Sequence, residues 1–419
     1  MFIIYDIIFG LFALIYLPYS WLRGKKDRRF GKRLGNFDAA VIKELKASQN
    51  IWVHAVSVGE VLAVIPFIDA LKMKFPGHRL VLSTVTPTGF ELAREKLKGR
   101  VTVIPAPLDL SWIVRKYVKT IQPKIYIATE TEIWPNLYTA LHAAKVPIAL
   151  INGRISERSF PKYKLVKFLL RGIFDCVDLF LMQSQTDADR IIALGADEER
   201  VRLVGNIKFD QMFFDENAAV KYDGFGRQDF FLAGSTHPGE EKIVLDLHKK
   251  LSAEFPAIRL IIAPRHIERV DEVLKIIEAQ RFRPLKFSQL KNEDIGAQDV
   301  VLVDTIGDLR SLYGCARIVF IGKTLMVGGG QNMIEPAAFG RPVVVGPLTQ
   351  NFQDVMQTLL NERAIVQVRS ADELYPAVAG LLKNQTEAGA MGERARNIVL
   401  QAQGATKRTI QLVEGLLNR

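Results

Sequence analysis

Apolar, β-branched runs of five to seven residues recur along this chain, each followed by a stretch long enough for a helix or crossover. That rhythm excludes most architectures. Buried parallel strands need apolar residues on both faces, and parallel neighbours need long connections, so the pattern predicts doubly wound α/β sheets. The first half carries IWVHAV, RLVLST, VTVIPA, KIYIAT, VPIALI, DLFLMQ and VRLVG. The rhythm breaks at KFDQMFFDENAAVKYDGFGRQD, a polar linker, and restarts with FFLAGS, IRLIIAP, VVLVDT, ARIVFIG, PVVVGP and AIVQV. The segment from about residue 387 to 419 is helical in pattern. A chain of 419 residues, 48% hydrophobic, has room for two such domains.

The formal charge is +11, so an anionic partner is expected: a phosphorylated ligand, an acidic membrane surface or nucleic acid. Two cysteines, Cys176 and Cys315, form neither a disulfide framework nor a metal-ligand spacing, which suits a reducing compartment. From Ile7 to Leu22 the chain is uncharged, IIFGLFALIYLPYSWL, and the basic run RGKKDRRFGKR follows it. A cleaved signal peptide carries its charges first. The segment is short for a spanning helix, and Asp6 makes an upstream extension costly. With the basic run held on the cytoplasmic side and Tyr16, Tyr19 and Trp21 at the interface, it reads as a membrane attachment. A buried core helix is the other reading.

The polar motifs all fall just after strands, where ligands bind in open α/β sheets, and two successive domains place such a site in the cleft between them. In GKTLMVGGGQNMIEP, Gly328 to Gly330 let backbone N–H groups approach a ligand, and a helix beginning near Asn332 points its positive end at it. Glu335, on the first turn, can accept ribose hydroxyls or merely complement the helix dipole. In APRH, Arg265 suits a phosphate; His266 fits a base or an ordinary helix start. DTIGDL offers Asp304 or Thr305 as a cap, with Gly307 allowing close approach. AGSTHPGE reads as a Ser/Thr-capped, proline-started helix. Lys208, in GNIKFD, is a cation beside the linker. ATETEIWPN presents Glu130 and Glu132 at a strand end, of which one is expected to look into the cleft, and Glu132 also fits a helix-start acid. Ser57-x-x-Glu60, in HAVSVGE, is both a capping-box pattern and a carboxylate at a strand end, so Glu60 is either cap or base. The sequence shows neither a P-loop lysine nor a nucleophile elbow, and no carboxylate pair has the look of a metal site.

Together HAVSVGE, ATETEIWPNL, INGRISERS, GNIKFD, AGSTHPGEE, APRH, DTIGDL and GGGQNMIEPAAFG, in this order, resemble the Kdo (3-deoxy-D-manno-octulosonic acid) transferases across nearly the whole chain. The resemblance implies a GT-B fold: a membrane helix (1–22), an acceptor domain (23–207), a linker (208–228), a CMP-Kdo domain (229–390) and a helical segment (391–419) packing back on the first domain. It implies Kdo transfer from CMP-Kdo to a lipid A precursor, lipid IVA, inverting and without metal or other cofactor, at the cytoplasmic face of the inner membrane. By resemblance Glu60 is the proton acceptor, and Glu130 and Lys208 stabilise the transition state. CMP contacts fall on Arg265 and His266, on Ile306, Gly307 and Asp308, and on Asn332, Met333, Ile334 and Glu335. Gln331 and Leu348 stand where the family often has histidine. A first-turn carboxylate is expected to stay ionised, as a base requires. A GT-B enzyme using a UDP-sugar is the nearest rival, and a non-catalytic protein of anionic lipid is another. A nucleic-acid partner is not expected, because no recognition motif is present.

Overall fold

The computed structural model describes residues 5–7, 9–10, 29–211, 229–290 and 295–418. They form two compact units, Met1–Gln211 with Ala402–Arg419, and Met212–Gln401. Most of the 1–22 membrane segment and the linker residues 212–228 lie outside the described residues. Among those described, no helix is long and apolar enough to cross a membrane.

The first unit holds seven parallel strands: β1 Gln49–His54, β2 His78–Thr84, β3 Thr102–Pro105, β4 Pro123–Thr129, β5 Ile148–Gly153, β6 Leu179–Met182 and β7 Val201–Leu203. Their order is β3-β2-β1-β4-β5-β6-β7. Side chains alternate across a strand, and here both faces are apolar. Along β1, Trp52 enters one core cluster with Tyr117, Tyr126 and Tyr138. Ile51 and Val53 enter the opposite one with Val61, Phe67, Ile125 and Ile127. The second cluster also holds Ile410, Val413 and Leu416, so the helix Ala405–Leu417 completes this unit's core. Asp210 fastens that helix by accepting the N–H groups of Gly404, at 2.6 Å, and Thr406. Near the other terminus, residues 5–7 and 9–10 are helical, and Phe9 packs on the first cluster. Asp6 accepts bonds from Ser111 N–H at 3.0 Å and Asn136 Nδ2 at 2.7 Å. The charge that makes membrane burial costly is thereby satisfied by protein.

The second unit has β8 Asp229–Thr236, β9 Ile258–Pro264, β10 Arg283–Lys286, β11 Asp299–Leu302, β12 Ala316–Ile321, β13 Val343–Val345 and β14 Val366–Gln367, in the order β10-β11-β9-β8-β12-β13-β14. The edge strand β10, RPLK, is absent from the sequence expectation. Its proline and flanking cations suit an edge and hide it from an apolar-run reading. Backbones approach closely at the carboxyl ends: a Cβ on Gly346 would lie 2.3 Å from Thr324 O, and one on Gly322 would lie 2.4 Å from Ser235 O.

Candidate active site

Glu60 is the third residue of the helix Val58–Lys74, capped by Ser57. Ser57 Oγ accepts the Glu60 N–H at 3.4 Å and donates to Glu60 Oε1 at 2.9 Å, while Oε2 accepts the Val56 N–H at 2.7 Å. A capping box would direct the glutamate to the N–H of Ser57 itself. Here the carboxylate reaches one residue further back, to the strand end. It is 8% exposed. The Thr129 hydroxyl donates to His54 O at 2.6 Å and sits 3.5 Å from Glu60 Oε2.

β4 ends at Thr129, and the next residue turns the chain sharply: Glu130 has φ +59, in the left-handed region that non-glycine residues seldom occupy. Its N–H is held by Ile151 O at 2.9 Å. The expectation that only one of Glu130 and Glu132 looks into the site is therefore corrected. The strand does not continue, and both carboxylates lie near Glu60 electrostatically. Glu132 is also not a helix-start acid, because the following helix begins at Pro135 without an acidic first turn. Lys208 Nζ meets Glu130 Oε1 at 3.3 Å, with the lysine 9% exposed.

A chain of amides places that lysine. Asn206 Oδ1 accepts the Lys208 N–H at 2.9 Å and its Nδ2 donates to Gln183 Oε1 at 3.0 Å. Gln183 Nε2 donates to Asn152 O at 2.9 Å. Asn152, at φ +53 and buried, accepts the Ile207 N–H through Oδ1 at 3.1 Å. Neither Asn152 nor Gln183 was anticipated from sequence. The INGR turn beside two further amides was the available signal.

Burial, then the charge of Glu130, pushes Glu60 up to about 7; the Val56 N–H, Ser57 and Lys208 oppose this. Burial, then Glu60 and Glu130, pushes Glu132 up to about 7. The expectation of a plainly ionised first-turn carboxylate is corrected: desolvation and like charge outweigh the helix start. A carboxyl group poised near neutrality is suited to taking a proton and passing it on. Among the described residues no group of three or more His, Cys, Asp or Glu could hold a metal.

In the second unit Ser235, the last residue but one of β8, has φ +56. The helix Glu240–Glu254 begins after Gly239 with no side-chain cap, correcting the Ser/Thr-capped start. Instead buried Glu240 accepts four N–H groups, from His237 at 3.0 Å, Lys323 at 2.8 Å, and Thr324 and Leu325 at 3.0 Å each. Its buried neighbour Glu241 takes Arg269 at 2.7 Å and Thr236 Oγ1 at 2.9 Å. This acid pair, missed in sequence, freezes the ends of β8 and β12. Two adjacent acids behind a proline–glycine turn were the signal.

Arg265 and Glu335 come together here. Burial raises Glu335, and Arg310, Asn332 and Arg265 offset the rise in that order. Arg310, four residues past Ile306, was overlooked. Asn332 Nδ2 donates to Glu335 Oε1 at 3.2 Å, and Asn332 Oδ1 accepts the Ile334 N–H at 3.1 Å. Met333 and Ile334 are fully buried, so their side chains are core and the Ile334 N–H is already engaged. Two glycines of the triple likewise spend their N–H groups internally. Gly329 donates to Gln350 Oε1 and Gly330 to Lys323 O, both at 2.9 Å, with φ +119 and +75 explaining why glycine stands there. Asp304 is no cap either; it binds Ser288, and Asp308 precedes the helix Leu309–Tyr313. Gly307 has φ +98 and Ile306 is 86% exposed, an apolar surface at the strand end. His266 packs edge-on to His237, with ring centroids 5.7 Å apart.

A family model described as 3-deoxy-D-manno-octulosonic-acid transferase (kdotransferase) matches residues 28–211. The 3-deoxy-D-manno-octulosonic acid transferase of Haemophilus influenzae is 34% identical over 379 residues, 88% of each chain. That of Bordetella pertussis is 30% identical over 425 residues, 97% of each. Among solved structures, the S. aureus MnaA–UDP co-structure aligns with a TM-score of 0.54 over 88% of this chain and 97% of its own. At 14% identity that likeness is one of fold.

Proposed function

The chain belongs to the Kdo transferase family, and from that premise we propose that it moves Kdo from CMP-Kdo to lipid IVA with Glu60 as the general base. It is a glycosyltransferase of GT-B type that acts in lipopolysaccharide synthesis. The observation that carries the finer reading is the buried Glu60, with its carboxyl group poised at about 7 beside the Glu130–Lys208 pair.

In the proposed reaction the acceptor hydroxyl oxygen attacks the anomeric carbon of Kdo as its proton passes to Glu60. The bond from that carbon to the CMP phosphate oxygen breaks, and the electron pair leaves with CMP. One direct displacement inverts the anomeric centre. Lys208, held by Glu130, offers positive charge to the negative charge that develops. CMP rests on Arg265 and His266, on the exposed Ile306 with Gly307 and Asp308, and on Asn332 and Glu335. Arg310 joins them. Met333 and Ile334 serve as the floor beneath. Cations and backbone supply the charge stabilisation in this reading, so the reaction is metal-independent and needs no other cofactor. The acceptor is a phosphorylated lipid at the cytoplasmic face of the inner membrane, which accounts for the net positive charge and the apolar segment 1–22.

Glu60→Gln tests the base. Glutamine keeps the acceptor oxygen for the Val56 N–H, so the fold should hold while the rate falls by about 10²–10⁴. Kdo transfer in detergent, CMP binding and thermal unfolding are measured together. A variant that keeps most of its activity would show that Glu60 only shapes the strand end.

A further inference from the structure

The segment after β5 carries a surface that neither the catalytic nor the nucleotide residues use. Two short helices, Phe160–Leu165 and Lys167–Phe174, form a bend whose outer face is apolar. Leu165 is 80% exposed and Phe168 73%, and Val166 between them is also exposed. The inner face is fixed: Leu170, Ile173 and Phe174 are in the core cluster, and Phe160 and Tyr163 pack against it. Two large apolar side chains three residues apart, exposed on a segment anchored in the core, are unlike scattered surface hydrophobics.

The charges around them decide what the bend faces. From Arg158 to Arg171 there are five cations (Arg158, Lys162, Lys164, Lys167 and Arg171) and no acid. All five are exposed. Lys162, Lys164 and Lys167 form no ion pair with another described residue, and Lys164 Nζ lies 4.7 Å from the Phe160 ring centroid. Apolar tips rimmed by unpaired cations match a bilayer surface, with acyl chains below and anionic headgroups at the lysine level. The bend is also tied to the catalytic loops of its own unit. Arg154 N–H donates to Thr131 Oγ1 at 3.0 Å, and Tyr163 feels the charge of Glu132.

We propose that the bend 160–171 inserts Leu165 and Phe168 into an anionic phospholipid surface, a membrane contact separate from residues 1–22. It rests on the reading of the acceptor as a membrane lipid, and it holds the Glu60 loop system at headgroup height. The lysines supply roughly one favourable headgroup interaction each, so binding through this face weakens with salt.

The full-length Phe168→Trp variant, with wild type as the background for the native tryptophans, is mixed with vesicles of phosphatidylglycerol and phosphatidylethanolamine. A blue shift of the added fluorescence is expected, together with quenching by lipids brominated along the acyl chain. Both should be lost in vesicles of phosphatidylcholine alone. In parallel, Leu165→Ser with Phe168→Ser should lower transfer on anionic vesicles by about tenfold while transfer in detergent micelles stays at the wild-type level. Lys162→Gln with Lys164→Gln and Lys167→Gln should remove the salt dependence of the insertion signal. An indole signal from Phe168→Trp that stays unquenched on anionic vesicles overturns the proposal. So does an equal loss of activity in micelles, which would assign the face to the acceptor's own acyl chains. Burial of the introduced indole in a dimer without lipid, seen by light scattering, would assign the face to a second copy. The quenching needs no turnover, so a failure of the Kdo reading leaves it standing as a separate result.

Discussion

Glu60 is governed by its neighbours more than by its helix. Three carboxylates, Glu60, Glu130 and Glu132, lie close enough to feel one another, and Lys208 pairs with Glu130 and opposes the rise at Glu60. Two of them are pushed up to about 7, so transfer should be weak in mild acid and rise with pH to a plateau, with an apparent midpoint near 7 belonging to the cluster. Removing one like charge lowers the others, so Glu132→Gln should move the midpoint of kcat/KM to lower pH while leaving a base in place. A pH–rate profile of the two proteins measures this, and an unmoved midpoint would uncouple Glu132 from the base. Stability carries the opposite sign from an ordinary carboxylate. The native pKa of about 7 exceeds the ordinary 4.5, so this contribution is whole below 4.5 and lost as pH climbs through 7. Urea unfolding of Glu60→Gln should therefore fall less between about pH 5 and pH 8 than that of the wild type.

At the scale of elements, the start of the helix Ala405–Leu417 is fastened by a side chain from the end of the first unit's main segment. Asp210 takes two N–H groups at the helix start. Asp210→Ala leaves both unmatched at a partly buried site and should cost about 1–3 kcal/mol, read as a lower urea midpoint with an unchanged slope. Among the described residues, thirteen of the fourteen strands were legible as apolar runs, most plainly the central ones such as β1 and β4, which are buried on both faces and leave little room for polar residues. The fourteenth, β10, is one of four edge strands, and its proline and two cations, which an edge tolerates, leave no apolar run to read. The site was legible as motifs but not as geometry. Nothing in ATETE signals that Glu130 adopts φ +59, since a left-handed non-glycine residue is imposed by its surroundings. Caps were misread for a related reason. Ser and Asp suit many local bonds, and tertiary partners such as Ser288 for Asp304 outcompete the helix start.

At the scale of the molecule, the two units divide the proposed chemistry, with the carboxylates on one and the CMP contacts on the other. CMP present at about 100 times its Kd should add about 2.7 kcal/mol to the unit that binds it. Hydrogen exchange should show that protection within residues 229–401, retained in Lys208→Ala and lost in Arg265→Ala. Protection equally strong around Glu60 alone would move the nucleotide to the wrong unit. The return of the helix Ala405–Leu417 to the first unit bears on how the protein is made. A ribosome delivers β1 to β7 early, yet Ile51, Val61 and Ile125 wait for Ile410, Val413 and Leu416. Roughly 190 residues are translated in between, about 10–40 s at ordinary elongation rates. For that interval one face of the nascent first unit is an unfilled apolar seat, a natural client for a ribosome-bound chaperone.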